Sequence, residues 1–306
     1  MYDRGVKVLI TGGTGFIGSH IVMELLAAGD EITIFARNPS KIPEFTDMPG
    51  LTLLQGELDN VTELQQAIHS QDACIHNAII WDEQPTELQL KDTLASLRVF
   101  EAAANAGVGQ LIYTSSAAVH RPFTALMDES QRTTTNDFYG ATKAAAEAFL
   151  HAFSHQSSMR CNVIRPGPTI GLPLFEGSSS GRNNRIEAMV HAAHRGEDIQ
   201  VVSGDGRQFI GVTDLAKVYK VLLRSSVNRE TYIAVAKNFT PWQEIAERVV
   251  KAVGTGRVAV SDASKSEAPC VFDVTKLERE LGCAFDSDAS MIAAIDHMAS
   301  QLVPAK

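Results

Sequence analysis

Along the first half of the chain the spacing of hydrophobic positions switches repeatedly between two regimes. Short runs dense in Val, Ile and Leu stand at Val6 to Ile10, Ile32 to Ala36, Leu51 to Gln55, Ala73 to Asn77, Leu111 to Ser115 and Cys161 to Ile164. Between them, apolar residues recur at three- and four-residue spacing over about Phe16 to Ala28, Val61 to His69, Leu88 to Ala106 and Tyr139 to His155. Continuous apolar strands that alternate with amphipathic helices mark successive βαβ units, whose strands are covered on both faces. The pattern predicts six parallel strands in a doubly wound α/β sheet.

Beyond Arg165 the alternation stops at Pro166, Gly167, Pro168, Gly171 and Pro173, followed by the Ser/Gly-rich piece Gly177 to Gly181. Such punctuation reads as a boundary or a mobile active-site loop. Helical spacing resumes at Asn184 to Arg195, Val212 to Arg224, Pro241 to Val253 and Val274 to Leu281, with a last helix near Ala289 to Gln301. Thr240 reads as an N-cap, Pro241 as the first helical residue and Glu244 as an acid in the first turn. The expected organisation is a sheet domain over residues 1–165, to which about 200–235 add, and a smaller, mainly substrate-binding region over 166–306.

Composition narrows the classes of function. The 306 residues carry 27 Lys+Arg against 36 Asp+Glu, a formal charge of −9, which argues against nucleic acid or an anionic membrane as partner. With 44% hydrophobic and 21% charged residues the chain reads as a globular protein, and no stretch approaches the ~18 apolar residues of a membrane span. The apolar run before Gly12 is too short for a signal peptide, so the expected location is the cytoplasm. Cys74, Cys161, Cys270 and Cys283 lack the spacing of a zinc site. His76, His120, His151 and His191 are expected to be packed or solvated residues, and no metal is expected.

Directly after the first strand stands Thr11-Gly12-Gly13-Thr14-Gly15-Phe16-Ile17-Gly18. Its first glycine permits the tight turn, the next lets the backbone approach a pyrophosphate, and the last allows close packing of helix on strand; the helix N-terminus offers N–H groups to the anion. Set between a strand and a helix, this is a dinucleotide-binding turn on a Rossmann-type sheet, with Gly12, Thr14, Gly15, Phe16, Ile17 and Gly18 as candidate cofactor residues. An NAD site usually carries a carboxylate after the second strand, whereas this chain reads Ala36-Arg37-Asn38. Arg37, with Lys41 nearby, suits a 2′-phosphate, so the reading favours NADP and keeps NAD as the alternative.

Ser115-Ser116 closes the fifth strand, and Tyr139-Gly140-Ala141-Thr142-Lys143 opens a helix. Four residues apart, Tyr139 and Lys143 share one helix face, where an ammonium stabilises a phenolate. Such a tyrosine exchanges a proton with a substrate hydroxyl or carbonyl while hydride moves to or from nicotinamide, and Ser116 can donate to the same oxygen.

Together these segments resemble the extended short-chain dehydrogenase/reductase superfamily, specifically the NAD-dependent epimerase/dehydratase family. The resemblance continues through Gly56-Glu57-Leu58, His76-Asn77-Ala78, Arg165-Pro166-Gly167, Gly204 to Val212 with Asp214-Leu215-Ala216, and Asp273 to Gly282. It implies that Ser116, Tyr139 and Lys143 are catalytic, and that Tyr139 and Lys143 also hold the cofactor. It further implies that Glu57 binds the adenine amino group beside Leu58, that Ala78 passes the cofactor phosphates, that Pro166 packs near the carboxamide, and that Arg207 contacts a substrate diphosphate. A homodimer through the helices containing Leu88 to Ala106 and Tyr139 to His155 is likewise implied. The chain departs from the sugar epimerases at Val119-His120-Arg121, at Pro168-Thr169, and between Ser261 and Ala268, where Lys265 is the sole cation. Three functions follow: hydride transfer on a sugar-like, possibly nucleotide-linked small molecule; NADPH-dependent reduction of a non-nucleotide carbonyl compound; or non-catalytic sensing of NADP. Trp81 is read as either a border of the substrate or a surface aromatic.

Overall fold

The computed structural model describes residues 5–81, 84–178, 184–262 and 269–302. Its central sheet comprises β1 (Lys7–Thr11), β2 (Glu31–Ala36), β3 (Leu51–Gln55), β4 (Ala73–His76), β5 (Gln110–Thr114), β6 (Arg160–Pro166) and β7 (Thr231–Ala234). The helices are α1 (Phe16–Ala27), α2 (Val61–Ile68), α3 (Leu94–Asn105), α4 (Phe138–Gln156), α5 (Asn184–His194), α6 (Val212–Arg224), α7 (Trp242–Val253), α8 (Thr275–Leu281) and α9 (Asp288–Leu302). All seven strands are parallel, in the order β7-β6-β5-β4-β1-β2-β3.

Period-two alternation divides the buried side chains of the central strands between two cores. Val8 and Ile10 pack on one face with Ile21 and Leu25 of α1 and with Leu215 and Tyr219 of α6. Leu9, Cys74, Leu111 and Tyr113 pack on the other, with Leu64 of α2, Val99 and Phe100 of α3, and Ala146 and Leu150 of α4. A third core belongs to the C-terminal segment, where Ile186, Val190, Trp242, Ile245 and Met291 meet the parallel ribbon of Asp198–Val202 and Arg257–Ser261.

The structure changes the expected fold in three places. A seventh strand, β7, covers the edge that β6 would otherwise expose, pairing Thr231 with Val163 through to Ala234 with Pro166. The helix expected from Leu88 to Ala106 is interrupted: a single turn (Pro85–Leu88) leads into a π-helical turn (Gln89–Thr93) before α3 begins. Pro241 is the N-cap rather than the first residue of α7, and Thr240 lies before the cap with its hydroxyl buried and without a partner among the described residues. The segments Ser179 to Gly181 and Lys265 lie outside the described residues.

From β1 the strand order runs outward in both directions, so the connections leaving β1 and β4 diverge. That divergence opens a crevice at the carboxyl ends of the strands, and the candidate residues gather around it.

Candidate active site

A cleft of about 970 Å³ is bordered by Gly12, Gly15, Arg37, Ser116, Tyr139 and Lys143 and by the C-terminal residues Pro166 and Arg207. Thr14, Phe16, Ile17, Glu57, Leu58 and Ala78 line it as well.

Gly12 adopts φ +72°, and a Cβ there would lie 2.7 Å from the Ala78 amide nitrogen, so only glycine lets β1 turn this close to the end of β4. A Cβ on Gly15 would meet only the Gly12 carbonyl, at 3.3 Å, which leaves its cleft side open. Helix α1 then starts with neither a side-chain cap nor an acid in its first turn. Its leading N–H groups and positive dipole end therefore remain available to an anion. A dinucleotide pyrophosphate fits this cradle. Gly18 is not on the cleft wall: a Cβ there would sit 2.0 Å from the Gly12 carbonyl, so its part is to bring α1 under the turn. The Ala78 N–H donates to Thr11 Oγ1 (3.3 Å), so Ala78 contributes a surface rather than a free donor.

Arg37 and Lys41 border the cleft after β2 together with Asn38. Among the described residues neither cation has a carboxylate within salt-bridge distance.

Ser115 and Ser116 part company at the end of β5. Ser115 Oγ donates to Glu147, whose carboxylate also takes two bonds from Arg165 (2.9 and 2.6 Å); Arg165 donates further to His120 Nε2 (2.9 Å). This buried network ties the Ala117–His120 turn to α4 and β6. Ser116 faces the cleft, and its Oγ accepts the Ala118 N–H (3.1 Å). Because that bond occupies a lone pair, the hydroxyl proton remains free to donate to a substrate oxygen.

Asp137 caps α4 by accepting the Gly140 N–H at 2.8 Å. A Cβ on Gly140 would lie 2.6 Å from the Ala118 carbonyl oxygen. Glycine thus lets the first turn of α4, with Tyr139, seat directly against the turn that carries Ser116. The Tyr139 ring stands 6.1 Å from that of Trp81, which is 64% exposed.

Lys143 is buried, with its Nζ 3.6 Å from Asp92 Oδ2 and 5.2 Å from the centre of the Tyr113 ring. Burial opposes its charge, but Tyr113, Asp92 and Tyr139 together outweigh that and hold the ammonium above the ordinary lysine value. Asp92 was not among the residues singled out from the sequence. It sits in the π-helical turn, and its Oδ1 accepts the Ile80 N–H at 2.9 Å. Such turns are frequent at functional sites, and here one carries a carboxylate that is buried in the core.

Beside it, His76 bridges Thr11 Oγ1 (2.7 Å) and Ser96 Oγ (3.0 Å) and stacks on Tyr113. Burial, reinforced by the Lys143 charge, pushes its pKa down to about 3, so it is a neutral spacer under the glycine turn.

The remaining wall comes from the C-terminal segment. Arg207 lies on the strand Gly206–Gln208, which pairs antiparallel with Phe239–Pro241. Arg185 and Trp242, which sequence reasoning passed over, line the same cleft. Among the described residues no group of three or more His, Cys, Asp or Glu side chains is placed to hold a metal, and no helix is long and apolar enough to cross a membrane.

Comparison with known proteins identifies the family. The model of the NAD dependent epimerase/dehydratase family matches residues 8–235. The chain is 28% identical over 297 residues to dTDP-4-dehydro-6-deoxy-D-allose reductase of Streptomyces bikiniensis, covering 89% of this chain and 90% of that one. It is 31% identical over 173 residues to a 3-beta-hydroxysteroid dehydrogenase of Mycolicibacterium neoaurum, covering 52% of this chain but only 46% of the relative. A further relative, 26% identical, is likewise spanned over only 61% of its length. Among solved structures, MoeE5 in complex with UDP-glucuronic acid and NAD superimposes with a TM-score of 0.79 over 97% of this chain and 100% of that one, at 23% identity.

Proposed function

We propose, for a chain that belongs to the NAD dependent epimerase/dehydratase family, that it exchanges hydride with a secondary alcohol or ketone of a nucleotide-linked sugar. The observation that carries this reading is the convergence of Ser116, Tyr139 and Lys143 with the uncapped glycine turn in one cleft. The 28% identity to a dTDP-sugar reductase across nearly its full length supports a nucleotide-sugar substrate, as does Arg207 in the wall.

The division of labour follows from the positions. Ser116 holds the reacting oxygen with its free hydroxyl proton. Tyr139 Oη takes the proton from a substrate hydroxyl during oxidation and returns it to the carbonyl oxygen during reduction. Lys143, pinned by Asp92, places a positive charge beside the phenol and offers donors to the cofactor ribose. Gly12, Gly15 and the first N–H groups of α1 receive the pyrophosphate, with Glu57 and Leu58 at the adenine and Pro166 at the carboxamide. When bound, nicotinamide supplies the hydride acceptor or donor. Retaining and re-reducing the oxidised sugar on its other face gives epimerisation; releasing it gives a net reductase or dehydrogenase.

At the adenosine end, Arg37 and Lys41 receive a 2′-phosphate, so NADP is the proposed cofactor and NAD the alternative. The same two cations favour a second reading, an NADPH-dependent reductase of a non-nucleotide carbonyl compound; the partial likeness to a steroid dehydrogenase supports it. Homodimerisation is proposed through the outer faces of α3 and α4, which leave Leu94 and Phe149 each 45% exposed.

A thermal-shift panel with NAD, NADP, UDP-sugars and dTDP-sugars tests the reading. A ligand at a hundred times its Kd stabilises the fold by about 2.7 kcal/mol. Stabilisation by a dinucleotide and, further, by a nucleotide sugar is expected; stabilisation by dinucleotide alone would favour the second reading.

A further inference from the structure

Trp242 opens α7 and is 2% exposed. Its backbone N–H donates to the Asp205 carbonyl (2.9 Å), and the strand before it pairs Thr240 with Arg207. The indole therefore sits fixed beside the hairpin that carries Arg207. Two guanidinium groups lie over this ring: Arg185 at 4.0 Å from its centre and Arg207 at 5.7 Å. Cation–π attraction holds a guanidinium by its face and leaves its in-plane N–H donors to bind something else.

The local charge is not balanced. Arg185 has one carboxylate, Asp205, at 3.4 Å, with both side chains more than a third exposed, a pairing of little strength. Arg207 has no carboxylate within salt-bridge distance among the described residues. It also feels the positive charges of Arg121 and Arg185, which together with burial, the largest influence, lower its pKa. Arg121 is matched by Asp137 at 3.1 Å. Like charges held together on a cleft wall favour an anion that bridges them.

We propose that Arg185, seated on Trp242 beside Arg207, is a specificity-determining residue that supplies the second cation for a diphosphate-type group on the substrate. This rests on the nucleotide-sugar reading above and adds a residue to it. The stacked, planar fork suits two phosphoryl oxygens, and the weak Asp205 contact is what such an anion displaces.

The test is calorimetric titration of the protein saturated with whichever of NADP and NAD it binds, so that the cofactor's own phosphate cradle is filled, with UDP, uridine and inorganic pyrophosphate. UDP is expected to bind and uridine not. Arg185→Gln weakens UDP by about tenfold or more, the loss of one charge-assisted hydrogen bond, and Arg185→Lys restores only part of it. Asp205→Asn tightens UDP binding by removing the competing carboxylate, a gain that misfolding does not produce. UDP binding to Arg185→Gln with wild-type affinity overturns the proposal, as does a wild-type protein that binds neither UDP nor pyrophosphate. If pyrophosphate binds and weakens in Arg185→Gln while UDP does not bind, the anion site stands and the nucleotide-sugar reading falls.

Discussion

Asp92 and Lys143 face each other at 3.6 Å with side chains only 2% and 4% exposed. A buried ammonium without a counter-charge is costly, and removing one partner of such a pair typically costs about 3–5 kcal/mol. Asp92→Ala is therefore expected to destabilise the fold on that scale and to weaken cofactor binding. The raised pKa of Lys143 gives the pair a pH signature. Its stabilisation is complete below the ordinary lysine value of 10.5 and declines as pH rises above that toward the folded-state value. Denaturant titrations at alkaline pH check this: the wild type loses stability there more steeply than Asp92→Ala. Parallel slopes would remove the coupling.

Gly140 allows α4 to touch the Ala117–His120 turn. An added Cβ would crowd Thr135 Oγ1 at 2.3 Å as well as the Ala118 oxygen at 2.6 Å. Gly140→Ala should cost about 1–3 kcal/mol of overpacking. By shifting Tyr139 relative to Ser116 it should also lower kcat by roughly 10²-fold. Dinucleotide affinity, measured by titration, should change far less than kcat.

His76 enters the fold neutral. Since its folded-state pKa is about 3 against an ordinary 6.5, the unfolded chain binds the extra proton as pH falls between those values, and stability declines with it. This contributes roughly 1.4 kcal/mol per pH unit. His76→Asn keeps hydrogen-bonding atoms at the site without the titration, so the acid limb of its stability curve should be flatter than that of the wild type. An unchanged limb would assign the acid sensitivity elsewhere.

Arg37 is the residue on which the choice of dinucleotide turns. Arg37→Ala should weaken NADP by about tenfold or more while leaving NAD nearly unaffected, because only NADP carries the phosphate that makes charge-assisted bonds. Equal losses for both cofactors, read by fluorescence titration, would place Arg37 against the adenine instead.

Much of this site was legible because its residues announce themselves within short, local patterns. The glycine turn follows a strand, and Tyr139 and Lys143 repeat at one helical turn, so each is found locally; the parallel sheet then carries both to the carboxyl ends of its strands. β7 was harder to see: four residues that follow Arg229 at φ +62° form a strand only because β6 has an edge to cover. Asp92 was invisible for a different reason. At helical spacing it shares the buried face of Leu88, Ser96 and Val99, but a single acid on that face names no partner, and Lys143 meets it only through tertiary packing. Arg185 and Trp242 are 57 residues apart in sequence and meet through tertiary packing, which no periodicity records.

The central claim is that the Tyr139 hydroxyl carries the proton that accompanies hydride transfer. Its most direct test is single-turnover nicotinamide absorbance for wild type and Tyr139→Phe, with the nucleotide sugar that stabilises the protein and with cofactor binding verified separately. A transfer rate lower by about 10²–10⁴-fold with cofactor affinity retained is the predicted result. Transfer by Tyr139→Phe at the wild-type rate would contradict the account.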